Sequence, residues 1–263
     1  MKKKKLLKIL VFSCLYLAAP HCCLPQDALF SVFAAEIADE RPSICCFIPS
    51  CAGFHIRNDF CTKEMTRAEI SGQLTLRKNV IRASATHYGY ANYGEMKLSA
   101  GYGRNFGDRF AMTARIFYLM SHARSYPARH SLCADFTIAY RLSSNLLLDA
   151  AVFNPFMLRY GIVGQDVIPL KFSIGSTYTP IRKLLIALTM SKELPGAWEV
   201  DCQFISQPAP PLLLAADCSN LQLGIYVGWL FKPFLVSVHA AWHYRITVSP
   251  EIGGFYFDER SKP

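Results

Sequence analysis

Hydrophobic and polar residues alternate along most of the chain beyond residue 68, most clearly between residues 95 and 117. Apolar positions recur at every second residue there: Met96, Leu98, Ala100 and Tyr102 alternate with Lys97, Ser99, Gly101 and Gly103. A period of two places successive side chains on opposite faces of a strand. The stretch 105–108 (NFGD) interrupts the alternation, and its glycine tolerates the positive φ of a tight turn. The pattern predicts a long β-hairpin with one apolar face.

Similar segments follow almost to the C-terminus, and we count about twelve strands, with a range of 10–14. Connections of two lengths separate the first eight of them. Short turns lie at 78–79, 105–108, 143–145 and 179–182, and longer links at 88–94, 121–130, 154–169 and 193–196. Antiparallel neighbours place alternate connections at opposite ends of a sheet, and short turns at one end with long loops at the other are typical of outer-membrane barrels. The predicted fold is all-β: an antiparallel transmembrane β-barrel.

The N-terminus resembles a secretory signal peptide. Five lysines precede an apolar run at 9–19 that is too short to span a bilayer. Without the first 19 residues the formal charge falls from +9 to +4, which is too low to indicate a nucleic-acid partner. We therefore expect a protein that crosses the inner membrane and resides in the cell outer membrane, in contact with its lipid.

We divide the chain at changes in this pattern. Residues 1–23 form the expected signal peptide, 24–67 an irregular N-terminal segment or plug, 68–258 the β-barrel and 259–263 a tail. The segment 24–67 either sits inside the lumen or supplies a first irregular strand, and its sequence leaves both open.

Seven cysteines lie beyond the signal segment, and four of them cluster as Cys45, Cys46, Cys51 and Cys61. The cluster lacks the paired C-x2-C spacing that places two thiolates on one turn of a zinc site. A disulfide or simple apolar packing are the remaining interpretations. We expect no metal site and no cofactor.

Several charged residues fall on the less apolar face of their strands, which faces the lumen in a barrel. These candidate lumen-facing residues are Asp135, Arg141, Asp149, Lys171, Glu199 and Asp201. They line a solute path or fill the lumen with satisfied charges. His239 and His243 share a strand face about 13 Å apart, which is too far for one metal ion. The pairs His130–Ser131 and Ser237–His239 lack a nucleophile elbow or a fixed third partner, so we expect no catalytic residues.

The central hairpin resembles one block of the PorV/PorQ-like outer-membrane β-barrel family of Bacteroidetes, which is related in fold to long-chain fatty-acid transporters. The residues that match its hairpin motif are Tyr102, Gly103, Arg104, Phe106, Gly107 and Asp108. An Asn154-Pro155 element in similar order extends the likeness at the level of pattern over residues 68–257. The Cys45–Pro49 region departs from the glycine-rich stretch and Asn-Pro element that the family has there.

Together these observations predict a non-enzymatic outer-membrane β-barrel. The resemblance implies either a small, apolar solute as cargo or a role in protein secretion with secretion-system components as partners. An outer-membrane hydrolase and a soluble periplasmic β-protein are the alternatives.

Overall fold

A computed structural model describes residues 33, 41–62, 64–159, 168–220, 222–243 and 247–258. A short 3-10 helix, Pro42–Phe47, precedes fourteen strands in these residues. The strands are Ser50–Asn58 (β1), Thr66–Leu76 (β2), Asn79–Tyr90 (β3), Tyr93–Phe106 (β4), Phe110–Ala123 (β5), Arg129–Arg141 (β6), Leu146–Phe153 (β7), Leu170–Ile181 (β8), Leu184–Leu194 (β9), Trp198–Ala209 (β10), Leu212–Cys218 (β11), Gln222–Phe231 (β12), Phe234–His243 (β13) and Val248–Asp258 (β14). The signal peptide and the tail predicted from the sequence lie outside the described residues.

Each strand pairs antiparallel with its neighbours in the chain, and β1 pairs with β14 to close the sheet into a barrel. The closing register places Phe54 opposite Gly254 and Ile56 opposite Ile252. Closure leaves no sheet edge with unpaired backbone groups, as a strand structure inside a bilayer requires. The predicted fold class is confirmed, with fourteen strands in the described residues instead of the twelve counted from the sequence.

The outer surface of the barrel is apolar. Tyr102 and Phe106 on β4 are 50% and 52% exposed, whereas Gly103 and Asn105 between them are buried on the inner side. The same alternation places Ile116, Leu132 and Ile174 outward, each about 60% exposed. A sandwich of two sheets would bury such side chains, whereas an apolar outer face is typical of transmembrane barrels. No helix among the described residues is long and apolar enough to cross a membrane.

The two ends of the barrel differ in the length of their connections. At the end that we call the short-turn rim, the strands are joined by residues 77–78, 107–109, 142–145, 182–183, 210–211 and 232–233. At the long-loop rim the links are 59–65, 91–92, 124–128, 154–169, 195–197, 219–221 and 244–247. The expected long link at 88–94 is wrong, because Gly89 and Gly94 pair across β3 and β4 and leave a two-residue turn.

The segment around the 3-10 helix lies inside the barrel, where Ile44, Cys45, Cys46 and Ile48 are buried. Wall side chains donate hydrogen bonds to its carbonyl oxygens: Gln73 to Cys45 at 2.9 Å, Thr75 to Ile48 at 3.1 Å and Asn105 to Cys46 at 2.6 Å. The Cys45 carbonyl also accepts from the Ile48 N–H at 3.3 Å, and the wall supplies further donors for the carbonyls that a short helix leaves exposed. We call residues 41–48 the lumenal segment. Strand β1 follows it directly, so the region 24–67 contributes both an inserted segment and a strand.

The sequence count misses two strands, β1 and β11. In β11 the residues Leu212, Leu213 and Leu214 hide the alternation, because Leu213 points into an apolar part of the lumen and is buried. In the sequence, residues 207–219 are therefore typical of a proline-rich link. Instead β10 continues to Ala209, and residues 210–211 form a tight turn into β11.

Candidate functional site

The lumen has two different halves. Next to the short-turn rim, the lumenal segment packs into an apolar cluster with side chains from most of the wall. Its members include Ile44, Cys45, Ile48, Leu147, Leu185, Leu213, Leu235, Phe255 and Phe257. The half next to the long-loop rim is lined mainly by charged and polar side chains, and we call it the chamber.

The chamber consists of two cavities of about 480 and 490 Å³. Lys97 and Gln222 line both, so the two cavities adjoin. The first is lined by groups that include Arg115, Asp135, Lys171, Glu199 and Asp201. The second is lined by groups that include His55, Arg57, Glu69, Asp217, His239 and Glu251. Charges of both signs therefore face the same space.

One buried ion pair fixes the wall of the first cavity. Arg115 on β5 and Asp135 on β6 stand directly opposite each other in the register, and each residue is 3% exposed. The Arg115 guanidinium donates from Nε to Oδ2 at 3.0 Å and from Nη2 to the same oxygen at 2.5 Å. Its carbon Cζ lies 4.8 Å from the centre of the Phe117 ring. Such a two-pronged pair is rigid and strongly oriented.

A second buried pair ties the lumenal segment to the wall. Arg41 donates from Nε to Asp149 Oδ2 at 2.9 Å, and its Nη2 also contacts Asp149 Oδ1. The same Nη2 donates to Thr177 Oγ1 at 3.2 Å. Arg41 thus joins the N-terminal segment to β7 and β8. We call this contact the Arg41 latch.

A row of alternating imidazoles and carboxylates crosses the second cavity. His55 Nδ1 lies 2.9 Å from Glu251 Oε1, and His239 Nδ1 lies 3.4 Å from Glu251 Oε2. The other nitrogen of His239, Nε2, lies 2.9 Å from Asp217 Oδ1. The row joins β1, β14, β13 and β11, so it bridges the closing seam of the barrel.

The six candidate lumen-facing residues fall into three places. Asp135, Lys171, Glu199 and Asp201 line the first cavity together. Asp149 lies nearer to the short-turn rim, where it accepts a hydrogen bond from Arg41. Arg141 lies near the short-turn rim, where its guanidinium stacks 4.5 Å from the centre of the Phe47 ring.

Several residues of the chamber are not among the six candidates predicted from the sequence. Arg115 follows the same alternation as Asp135 and could have been found by the same rule. Asp217 lies on the unrecognised strand β11, and Arg41 lies in a segment with no regular pattern. In the first Ser–His pair the two side chains have different partners: Ser131 donates to the Arg159 carbonyl at 2.8 Å, whereas His130 stacks on Tyr118. His239 is held by two carboxylates.

The cysteines of the N-terminal cluster occupy different environments. Cys45, Cys46 and Cys51 are buried around the lumenal segment, whereas Cys61 is exposed near the long-loop rim. Burial raises the pKa of the Cys46 thiol to about 12. Among the described residues no group of three His, Cys, Asp or Glu side chains is arranged to hold a metal ion.

The hairpin motif lies at the short-turn rim, beneath the lumenal segment. Gly107 adopts a φ of +75° in the turn between β4 and β5. A Cβ atom on Gly103 would lie 2.7 Å from Cys46 Sγ, so glycine provides the space that the segment needs. Tyr102 donates to Asn79 Oδ1 at 2.7 Å on the outer surface, and Arg104 and Phe106 also point outward.

The fold is similar to several solved barrels. A deltaS2S3 mutant of the monoaromatic hydrocarbon channel TodX matches with a TM-score of 0.66 and 9% identity, over 83% of this chain and 92% of that chain. The toluene transporter TodX of Pseudomonas putida gives a TM-score of 0.64 and 9% identity over 83% and 92% of the two chains. The monoaromatic hydrocarbon channel CymD gives 0.62 and 8% identity over 85% and 93%. At these identities the similarity concerns the fold. No protein-family model and no curated protein match the sequence.

Proposed function

We propose that the protein is a non-enzymatic outer-membrane channel that admits a small solute from the long-loop side. The observation that carries the proposal is the adjoining pair of lumenal cavities, which begins near the long-loop rim and ends at the lumenal segment. Passage through the barrel then requires the lumenal segment to shift, and the Arg41 latch is one of the contacts that hold it.

The lining of the chamber favours a small solute that carries polar groups. Lys97, Lys171, Glu199 and Asp201 line the first cavity and offer both donors and acceptors. Its aromatic part is the pair Phe117 and Phe153, whose ring centres are 5.4 Å apart. An apolar solute, as implied by the family resemblance and by the hydrocarbon named for TodX and CymD, would have to leave these charges without water.

Localisation follows from the surface of the barrel. The apolar outer face supports a location in the outer membrane, where lipid would surround it. A closed barrel also pairs its backbone N–H and C=O groups internally, as the bilayer interior requires. The N-terminal lysine-rich segment supplies the export signal in this proposal, and cleavage within residues 1–23 releases the mature chain.

The test is solute flux through proteoliposomes that contain the purified barrel. We expect small polar solutes to enter faster than they enter empty liposomes, and the Arg41→Met variant to raise this flux. Arg182→Met, in an exposed turn at the short-turn rim, is the matched control and should behave like the wild type. Equal flux for wild type, Arg41→Met and empty liposomes would overturn the channel. A flux of toluene-like solutes alone would move the proposal to an apolar cargo.

A role in protein secretion is the second candidate, and the matching hairpin residues 102–108 favour it. It predicts that deletion of the gene retains secreted proteins in the periplasm while small-solute uptake is unchanged. Normal secretion in the deletion strain would remove this candidate.

A further inference from the structure

The two rims of the barrel carry different charges. The six turns of the short-turn rim contain six basic residues and one acidic residue, Asp108. The basic residues are Arg77, Lys78, Arg109, Arg182, Lys183 and Lys232. The links of the long-loop rim contain four basic and three acidic residues in the sequence. The nearly uniform positive charge is therefore a property of one rim.

Aromatic side chains mark the level at which this basic rim meets the membrane. Three outward pairs lie just inside the short turns: Phe106 with Phe110, Trp229 with Phe231, and Phe234 with Tyr256, with ring centres 5.4 to 6.0 Å apart. Aromatic girdles of barrels lie at the boundary between acyl chains and headgroups. The basic turns beyond the girdle are thus at the depth of lipid phosphates.

An apolar groove of about 840 Å³ on the outer surface reaches this rim. Two rows of outward residues form it, and the register aligns each row across five strands. The rows are Tyr102, Ala114, Phe136, Val152 and Phe172, and Arg104, Met112, Ile138, Ala150 and Ile174. The small side chains of Ala114 and Ala150 lie among large neighbours and deepen the surface. Five strands span about 19 Å at the usual strand spacing, which is the length of a long acyl chain.

Arg104 joins the groove to the basic rim. It is the cation among the residues that line the groove, and it is exposed. Its backbone lies two residues further from the turn than Phe106, and its guanidinium carbon lies 5.7 Å from the centre of the Phe106 ring, so the long side chain carries the charge to the level of the aromatic girdle. A guanidinium binds a phosphate diester with two parallel hydrogen bonds.

We propose that the short-turn rim binds an anionic phospholipid, with one acyl chain in the groove and its phosphate at Arg104. The remaining basic turns attract further anionic headgroups around the rim. Each cation near an anionic lipid surface strengthens binding about fivefold at moderate salt. This lipid site is independent of the lumen and of any solute that passes through it.

The test is native mass spectrometry of the purified barrel with phosphatidylglycerol or phosphatidylcholine of identical acyl chains. We expect the wild type to retain at least about fivefold more phosphatidylglycerol, and this preference to fall as salt rises. Arg104→Gln should lose about fivefold of the retained anionic lipid. Lys192→Gln is the matched control, because Lys192 lies on the outer face near the long-loop rim and stacks 5.5 Å from Trp198.

A second pair of variants tests the groove. Ala114→Leu fills it and should remove the tightly held lipid, whereas Ala83→Leu adds the same volume at an exposed position of β3 and should not. A heat-dependent shift in gel mobility shows that each variant is folded. Equal retention of the two lipids, or equal losses in Arg104→Gln and Lys192→Gln, would overturn the proposal. So would binding of an acidic polypeptide to the rim in place of lipid.

Discussion

Two glycines allow the lumenal segment to approach the barrel wall. A Cβ on Gly103 would meet Cys46 Sγ at 2.7 Å, and one on Gly175 would meet Arg41 Nη2 at 2.5 Å. Both distances are shorter than real Cβ contacts, so each glycine provides space and not merely conformational freedom. The N-terminal segment and the barrel wall are therefore complementary in shape at these two positions.

Gly103→Ala should destabilise the barrel by about 1–3 kcal/mol, because overpacking forces the segment or the strand to move. The measurement is the denaturant midpoint of the folded, heat-modifiable band. Gly72→Ala is the control, since nothing lies within 4 Å of the Cβ position there. Cys46→Ala combined with Gly103→Ala should recover part of the stability, because Thr113 Oγ1 still lies 2.9 Å from the Cβ position, and a purely additive double variant would argue against the Cys46 contact.

We expect Asp135 to stabilise the folded barrel through its buried ion pair with Arg115. Asp135→Asn leaves the guanidinium buried without its countercharge, which costs about 3–5 kcal/mol for a buried ion pair. Replacing both, as Arg115→Met with Asp135→Leu, should restore most of the loss, because neither charge then needs a partner. Asp108→Asn in the exposed turn should leave stability unchanged. An Asp135→Asn variant that is as stable as the wild type would show that water in the chamber screens the charges of Arg115 and Asp135.

Two strands, β6 and β11, show what the alternation in the sequence can predict and what it cannot. Strand β6 alternates Leu132, Ala134 and Phe136 with Cys133 and Asp135, and its period is visible in the sequence. Strand β11 faces the apolar cluster, so both of its sides are hydrophobic and its period disappears. The cluster exists because the lumenal segment fills that half of the lumen. The sequence has no local signal for this long-range contact, nor for the Arg41 latch across 108 positions.

The lumenal segment should behave as one unit held by the Arg41 latch. Burial holds the Cys46 thiol protonated, with its pKa raised to about 12, so a variant with Cys46 as its one cysteine should react slowly with a maleimide at pH 7. Asp149→Asn in that background should weaken the latch and accelerate labelling. Asp258→Asn, at the end of β14, serves as the control. Unchanged labelling in Asp149→Asn would mean that packing alone retains the segment.

Closure of the barrel depends on residues about 200 positions apart, because β1 pairs with β14 along eight residue pairs. A chain that ends before β14 would expose two strand edges, on β1 and β13. We expect such a truncated chain to lack the heat-dependent mobility shift in lipid, even though the other strands are present. A truncated chain that still shows the shift would mean that β13 can close on β1.

The strands of the barrel are joined by short turns at one rim and by longer links at the other. The longest of these links is the sixteen-residue segment 154–169. It divides the ring into β1–β7 and β8–β14, seven strands each. A protease that cuts this link severs the chain without severing the ring, since hydrogen bonds still join β7 to β8 and β14 to β1. The two fragments should stay together as a nicked molecule until boiling separates them. Expressed as separate polypeptides, the same halves should be able to reassemble into one barrel.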